Sequence, residues 1–484
     1  MEFNNTTSAE PAKETATSQR WTADNQTLLR SFRHRKLDAM ERGTTKDVGS
    51  FPLPPTSWRD LDIDFPLITK LIIKHLLIGG ELRVDRLAAR LAIPPSLLEE
   101  PIQFLRKESQ IEAKGAGSDG ISGAMHYSLA ARGREQAGLY MDESSYCGPL
   151  PISLESYRRQ CDKQSVKQQI VDRNRTDAVF NGLIVRPETI TQIGAAFNSG
   201  KSAFLFGPAG VGKTFLAHQM VRLLYGEIAI PHAVVIEGQI VRVFDPVNHR
   251  PVESASEAFT AAPHLRKNAD AHDNRWVICH RPVIISGGEL NLPMLDLQYQ
   301  QDTHYYDAPL QMKANGGLFM IDDLGRQACN TTALLNRWVV PLEDGVDYLS
   351  LHTGSKFQIP FDVLPVFATN LSATDLADDA FIRRLGYKIR VHYLTEVEYR
   401  AIFRQYCHAN DLACSEAVID YLISKLYQPS GRPLIACHPR DLINQIIDYC
   451  LFEGTEPVVS EALLSQAWRS NFFDEEKIKV NNDS

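Results

Sequence analysis

Ser202 Ala203 Phe204 Leu205 Phe206 Gly207 Pro208 Ala209 Gly210 Val211 Gly212 Lys213 Thr214 is the stretch on which the reading of this chain turns. Its first five residues form a short apolar run of strand character, and residues 215–224 carry helical spacing. Between them glycine recurs at positions 207, 210 and 212, so successive backbone N–H groups can face one anion without a Cβ in the way. The start of the following helix adds partial positive charge at the same place. Strand, glycine loop and helix in that order predict a phosphate-binding loop over Gly207, Pro208, Ala209, Gly210, Val211, Gly212, Lys213 and Thr214. Lys213 would reach the β and γ phosphates of a nucleoside triphosphate, its ammonium facing solvent, and Thr214 would ligate Mg²⁺ through its hydroxyl.

A second apolar strand, Gly316 Gly317 Leu318 Phe319 Met320 Ile321, ends in Asp322 and Asp323. Paired acids at a strand end suit division of labour: Asp322 to hold Mg²⁺, Asp323 to orient an attacking water and take its proton.

These two runs, together with three further segments toward the C-terminus, resemble the AAA+ ATPases. The resemblance covers residues 181–468. Phe367 Ala368 Thr369 Asn370 resembles the strand ending in sensor 1, which makes Asn370 the polar residue near the γ-phosphate. Asp379 Ala380 Phe381 Ile382 Arg383 Arg384 Leu385 resembles the helix whose terminal arginine reaches a neighbouring subunit; Arg383 and Arg384 both fit, and the place of Arg384 at the helix end favours it. His438 Pro439 Arg440 Asp441 Leu442 resembles the start of the lid helix, with Arg440 as the sensor 2 arginine. The resemblance implies an ATP hydrolase using ATP and Mg²⁺, assembled as a homo-oligomer, expected to be a hexameric ring. Two departures stand out. Asp323 occupies a position where a glutamate commonly follows the first acid. The long interval between Lys213 and Asp322 leaves room for an insertion centred on residues 237–289, with residues 240–244 and 276–279 as the strands of a hairpin.

Outside that region the chain changes character. Residues 1–55 are rich in Thr, Ser, Glu, Lys and Arg and predict a disordered tail without the apolar centre of a secretory signal. Residues 56–146 predict three helices and two short strands, 110–114 and 125–129, a winged-helix pattern. Pro101 is an unwelcome interruption in the third helix. That helix carries Glu99, Glu100 and Glu108 beside Arg106 and Lys107, so protein docking is favoured over DNA binding while both stay open. Residues 147–180 predict a linker followed by a helix that Ser153 caps and that runs to about Val171. The fold class expected is α/β. A parallel sheet with helices on both faces spans residues 181–394, and a helical lid spans 395–484.

Of 484 residues, 51 are Lys or Arg and 59 are Asp or Glu, a net charge of −8 that argues against coating nucleic acid by charge alone. The eight cysteines form no CxxC pair and no zinc-ligand spacing, and read as reduced thiols. The longest apolar run, near residues 71–80, is interrupted by Lys74 and His75 and is too short to span a bilayer. A cytoplasmic protein is expected.

Two further runs, residues 196–201 and 312–317, look most like the MoxR chaperone-like branch, which implies remodelling of a protein client. A DNA-transacting loader and a slowly hydrolysing assembly switch are the alternatives.

Overall fold

Alternation along apolar strands layers the α/β core. In a strand, successive side chains leave on opposite faces. Ala203 and Leu205, Leu318 and Met320, and Leu364, Val366 and Ala368 share one face, against Leu216, Ala217 and Met220 of the helix Lys213–Val221. Phe204, Phe319, Ile321 and Phe367 share the other, against Leu334, Leu335 and Trp338 of the helix Thr331–Asp344. Trp338 stacks on Phe319 at 5.1 Å and meets Phe367 edge-on at 5.9 Å. Burying each such side chain is worth about 2 kcal/mol, against about 1 kcal/mol for a typical hydrogen bond. The two cores therefore hold the scaffold, and the polar residues at its rim are not needed for that.

The structure, a computed structural model, describes residues 51–115, 125–252, 272–371 and 379–472. Nearly all of the expected tail over 1–55 and the middle of the expected insertion lie outside them. The central sheet has five parallel strands side by side: Val283–Ser286, Leu318–Ile321, Leu364–Thr369, Ala203–Phe206 and Tyr387–Arg390. The strand ending at the glycine loop thus lies next to the strand leading to Asn370. Buried on both faces, these strands read as continuous apolar runs.

The insertion is larger than expected and is not a hairpin of 240–244 with 276–279. The strand Gln239–Arg242 pairs with Ala233–Ile236 and Tyr305–Asp307 in a second five-stranded sheet, whereas Trp276–His280 pairs antiparallel with Glu227–Pro231. Turn signals near 237–238 close the first pair locally; the second pairing is set by apolar faces far apart in sequence.

Residues 147–180 are likewise no free linker. Ser153 does cap a helix, accepting from Ser156 N at 3.0 Å, but that helix is Leu154–Lys163 and stops well before Val171. The strand Ile152–Ser153 joins the second sheet beside Ala233–Ile236. Beyond the helix, the buried Asp362 carboxylate accepts from Ser165 Oγ at 2.6 Å and Val166 N at 3.0 Å, and burial raises its pKa. Arg281 donates to the carbonyls of Gln164 and Tyr225, both at 2.9 Å, with burial lowering its pKa to about 10.

The N-terminal unit contains the helices Phe65–Gly79, Val84–Leu91 and Glu99–Lys107. Its antiparallel strands lie in the order Leu82–Arg83, His126–Leu129, Ile111–Lys114. Pro101 interrupts nothing. It sits in the first turn of its helix, where a missing N–H has no intrahelical acceptor to lose. The core of this unit includes Ala233 and Ile240 of the second sheet, so it packs onto the insertion.

After the last parallel strand come the helices Glu396–Ala409, His438–Glu453 and Glu461–Asn471, around Tyr399, Phe403, Ile446 and Trp468. Among the described residues no helix is long and apolar enough to cross a membrane.

Candidate functional site

The glycine loop leaves the sheet between strand ends. A Cβ at Gly207, whose φ is +145°, would lie 2.1 Å from the carbonyl oxygen of Val391, so no side chain fits there. At Gly210, φ +76°, a Cβ would meet Ile435 Cγ2 at 2.7 Å and Cys437 Sγ at 3.0 Å. The loop is thus pressed between the sheet and the lid residues that lead into the helix His438–Glu453, and Cys437 N donates to Gly210 O at 3.3 Å.

Lys213 does not face solvent, as the chemistry of a phosphate-binding ammonium suggests it should. It is only 6% exposed. Its ammonium donates to the carbonyls of Gly207 at 3.0 Å and Pro208 at 2.7 Å, and to Asn370 Oδ1 at 2.6 Å. Three N–H groups meet three oxygens, which is how an ammonium tolerates burial. Burial pulls its pKa below the ordinary lysine value, with the charges of Asp323 and Asp322 opposing that shift.

Thr214 Oγ1 lies 2.9 Å and 3.1 Å from the two oxygens of Asp322. Asp323 accepts from Asn370 Nδ2 at 3.0 Å. Consecutive acids on an extended strand would point to opposite faces. Asp323 avoids this with φ +47°, a left-handed conformation that costs a non-glycine residue on the order of 1 kcal/mol. Both carboxylates thereby turn toward the loop. Lys213, Thr214, Asp322, Asp323 and Asn370 form one cluster drawn from a helix start and two adjacent strand ends.

A hydroxyl and a carboxylate are hard oxygen donors of the type Mg²⁺ takes, and that ion normally completes its shell with water and phosphate oxygens. The described residues contain no group of three or more His, Cys, Asp or Glu able to hold a metal alone. Thr214 and Asp322 thus fit a metal that arrives with a phosphate ligand.

Two of the three arginines lie apart from this cluster. Arg383 and Arg384 end the helix Asp379–Arg384, just before the strand Tyr387–Arg390. Tyr387 is level with Ala203 and Arg390 with Phe206, so both arginines are at the opposite end of the sheet from the glycine loop. Four residues of strand separate them, about 13 Å. Arg384 pairs with Glu343 at 2.6 Å, while Arg383 is exposed. Arg440 sits in the first turn of the lid helix, exposed, with Nη2 at 2.8 Å from Asp441 Oδ1.

One positioning residue had no signal in the sequence. Gln327 Nε2 donates to the carbonyls of Asp322 at 3.0 Å and Asp323 at 3.2 Å, and its Oε1 accepts from Gly325 N at 2.8 Å. It braces the turn that aims the acids. The runs 196–201 and 312–317 have structural work instead. Asn198 holds both N–H and C=O of Val171, at 2.7 Å and 2.8 Å. Asn315 donates to Tyr157 OH at 2.7 Å and Pro360 O at 2.9 Å, and accepts from Asp362 N at 2.8 Å.

A family described as a domain of unknown function (DUF8689) matches residues 395–470, the lid. No curated protein matches the chain. Among solved structures, a Thermotoga maritima RuvB described as a Holliday junction branch migration motor is 14% identical, with a TM-score of 0.31; the match covers 63% of this chain and 72% of that one. NtrX from Brucella abortus in complex with ATP is 10% identical, with a TM-score of 0.36, over 76% of this chain and 68% of that one. At these values the likenesses assign neither an activity nor a partner. The fold class, α/β with a parallel five-stranded sheet, rests on the strands themselves.

Proposed function

We propose that this protein is an ATPase of the AAA+ type that hydrolyses ATP to ADP and phosphate and uses the cycle to remodel or assemble a protein partner. The observation that carries the reading is the convergence of Lys213, Thr214, Asp322, Asp323 and Asn370 on one glycine loop. Residues 207–214 would wrap the phosphates, with Lys213 on the β and γ groups. Thr214 and Asp322 would hold Mg²⁺, which offsets phosphate charge. Asp323 would take the proton of an attacking water that Asn370 helps to orient. Arg440 would close over the phosphates from the lid.

Arg383, rather than the Arg384 that the sequence favours, is assigned the trans role, completing the site of a neighbouring subunit in a homo-oligomeric ring. Its exposure and its place at the far end of the sheet support that choice, as does the commitment of Arg384 to Glu343. A protein client is favoured over nucleic acid by the helix Glu99–Lys107, where exposed Glu99 and Glu100 offset exposed Arg106 and Lys107 and Phe104 is 44% exposed. Such a helix has no net positive charge to neutralise phosphates, and its exposed ring suits an apolar partner. A remodeller of the MoxR-like chaperone branch fits such a client.

The test is Asp323→Asn in the full chain. Mg-ATP binding should persist while turnover falls at least about a hundredfold, because the amide keeps the shape but takes no proton. Unchanged turnover, or loss of binding equal to that of Asp322→Asn, contradicts the assignment.

A further inference from the structure

Among the described residues the lid touches the α/β core at the glycine loop and also at Arg186, which is not part of that loop. At the first, Cys437 and Ile435 press on Gly210 of the glycine loop. At the second, the Arg186 guanidinium forks onto the Glu398 carboxylate, Nε to Oε1 at 2.8 Å and Nη2 to Oε2 at 3.1 Å, and Nη2 also donates to Tyr393 O at 2.9 Å. Gln405, two turns further along the same lid helix, donates to the carbonyl of Gly182.

We propose that Arg186 and Glu398 form a latch that fixes the angle of the lid over the glycine loop and so sets nucleotide affinity. This rests on the reading of that loop as a nucleotide site.

Both halves of the latch are preorganised. Arg186 is the N-cap of the helix Pro187–Ser199, where proline and the packing of Val185 and Ile190 against the core fix the backbone. Glu398 already belongs to a capping box: Thr395 N donates to its Oε2 at 2.7 Å, and Glu398 N donates to Thr395 Oγ1 at 3.3 Å. The carboxylate is therefore aimed before the arginine arrives, and less side-chain freedom is lost when the pair forms.

The pair is also partly shielded from water, with the two side chains 36% and 21% exposed. The Arg186 guanidinium holds the Glu398 carboxyl down to about 2, and the hydrogen bonds to Glu398 raise the guanidinium in turn. The two shifts agree in direction. Other ion pairs of this helix, Arg400 with Glu396 and Asp420, and Arg404 with Glu416, stay within the lid.

The chain enters the lid through residues 391–395, where Val391 N donates to Phe206 O at 2.8 Å beside Gly207 and Tyr393 O accepts from Arg186. That segment is the pivot. Release of the latch leaves Cys437, and Arg440 one turn beyond it, held to the core by the Gly210 contact and the Gln405 hydrogen bond, which lets the angle of the lid vary. The α/β cores do not depend on the pair, so affinity should suffer while folding does not.

The experiment compares wild type, Arg186→Gln, Glu398→Gln, the double variant and Arg186→Lys as full chains. Binding is read with a fluorescent ADP analogue, together with kcat, KM and melting temperature. Glutamine at 398 keeps an acceptor for the capping box. Each glutamine variant should raise Kd and KM about fivefold with kcat changed less than twofold, the double variant should be no worse than either single, and Arg186→Lys should recover part of the loss. Additive losses, or lower melting temperatures with unchanged Kd, overturn the latch. A wild-type protein that binds no nucleotide overturns the site and the latch together; binding indifferent to every variant overturns the latch alone.

Discussion

Lys213 and Arg440 are both assigned to the phosphates, yet the molecule builds their surroundings in opposite ways. Lys213 is buried, and each of its N–H groups has an oxygen from its own domain. Arg440 is exposed at the start of a lid helix and is paired with the adjacent Asp441. The first is held at the loop before anything binds and needs only to exchange one of those oxygens for a phosphate oxygen; the second becomes useful only when the lid is held at the right angle. Binding residues on the sheet are preorganised, and residues that report the state of the lid are left in water, where a small rearrangement moves them.

The preorganised side of that comparison should be the more sensitive to mutation. Asn370 touches Lys213 through Oδ1 and Asp323 through Nδ2, so Asn370→Ala disturbs both. Turnover should fall about a hundredfold with KM raised severalfold, read by steady-state kinetics. A change confined to KM would mean that Asn370 only steadies the lysine. On the other side, Arg440→Ala should cost about tenfold in turnover at low salt and progressively less as salt rises, because an exposed charge is screened. An effect as large as that of Asn370→Ala, and indifferent to salt, would erase the distinction.

The contrast also explains what could be read from sequence. The glycine loop is local: its glycines, lysine and threonine are neighbours in the chain, and their conformational demands are printed in residue type. Asp322 and Asn370 were legible because each ends an apolar strand, and parallel strands deliver their ends to one rim. Asp323 was legible as an acid but its left-handed turn was not, since aspartate tolerates that conformation better than most residues without requiring it. Gln327 bonds to backbone only a few residues away, but to carbonyls and an N–H that no residue letter encodes, and the Arg186–Glu398 pair joins segments remote in sequence; neither left a pattern.

The errors have the same origin. Residues 240–244 and 276–279 have strand character, but which strands they pair with is decided by buried faces elsewhere, and the two enter different sheets. The supposed linker fails as one because Asp362 and Arg281 hold its backbone, and neither lies near it in sequence. A solvent-facing lysine is what its chemistry alone suggests; the loop carbonyls that let it be buried are backbone atoms, which no residue letter encodes.

The proposed nucleotide binding, lid control and turnover all require that the glycine loop hold a triphosphate through Lys213. Calorimetric titration of Mg-ATP into the full chain and into Lys213→Ala, with circular dichroism to establish that both are folded, tests this most directly. The expected result is a saturable heat for wild type and an affinity at least about a hundredfold weaker for the variant, since a charge-assisted contact to phosphate is lost in a shielded site. Equal affinities in two folded proteins, or no binding by the wild type, would contradict it.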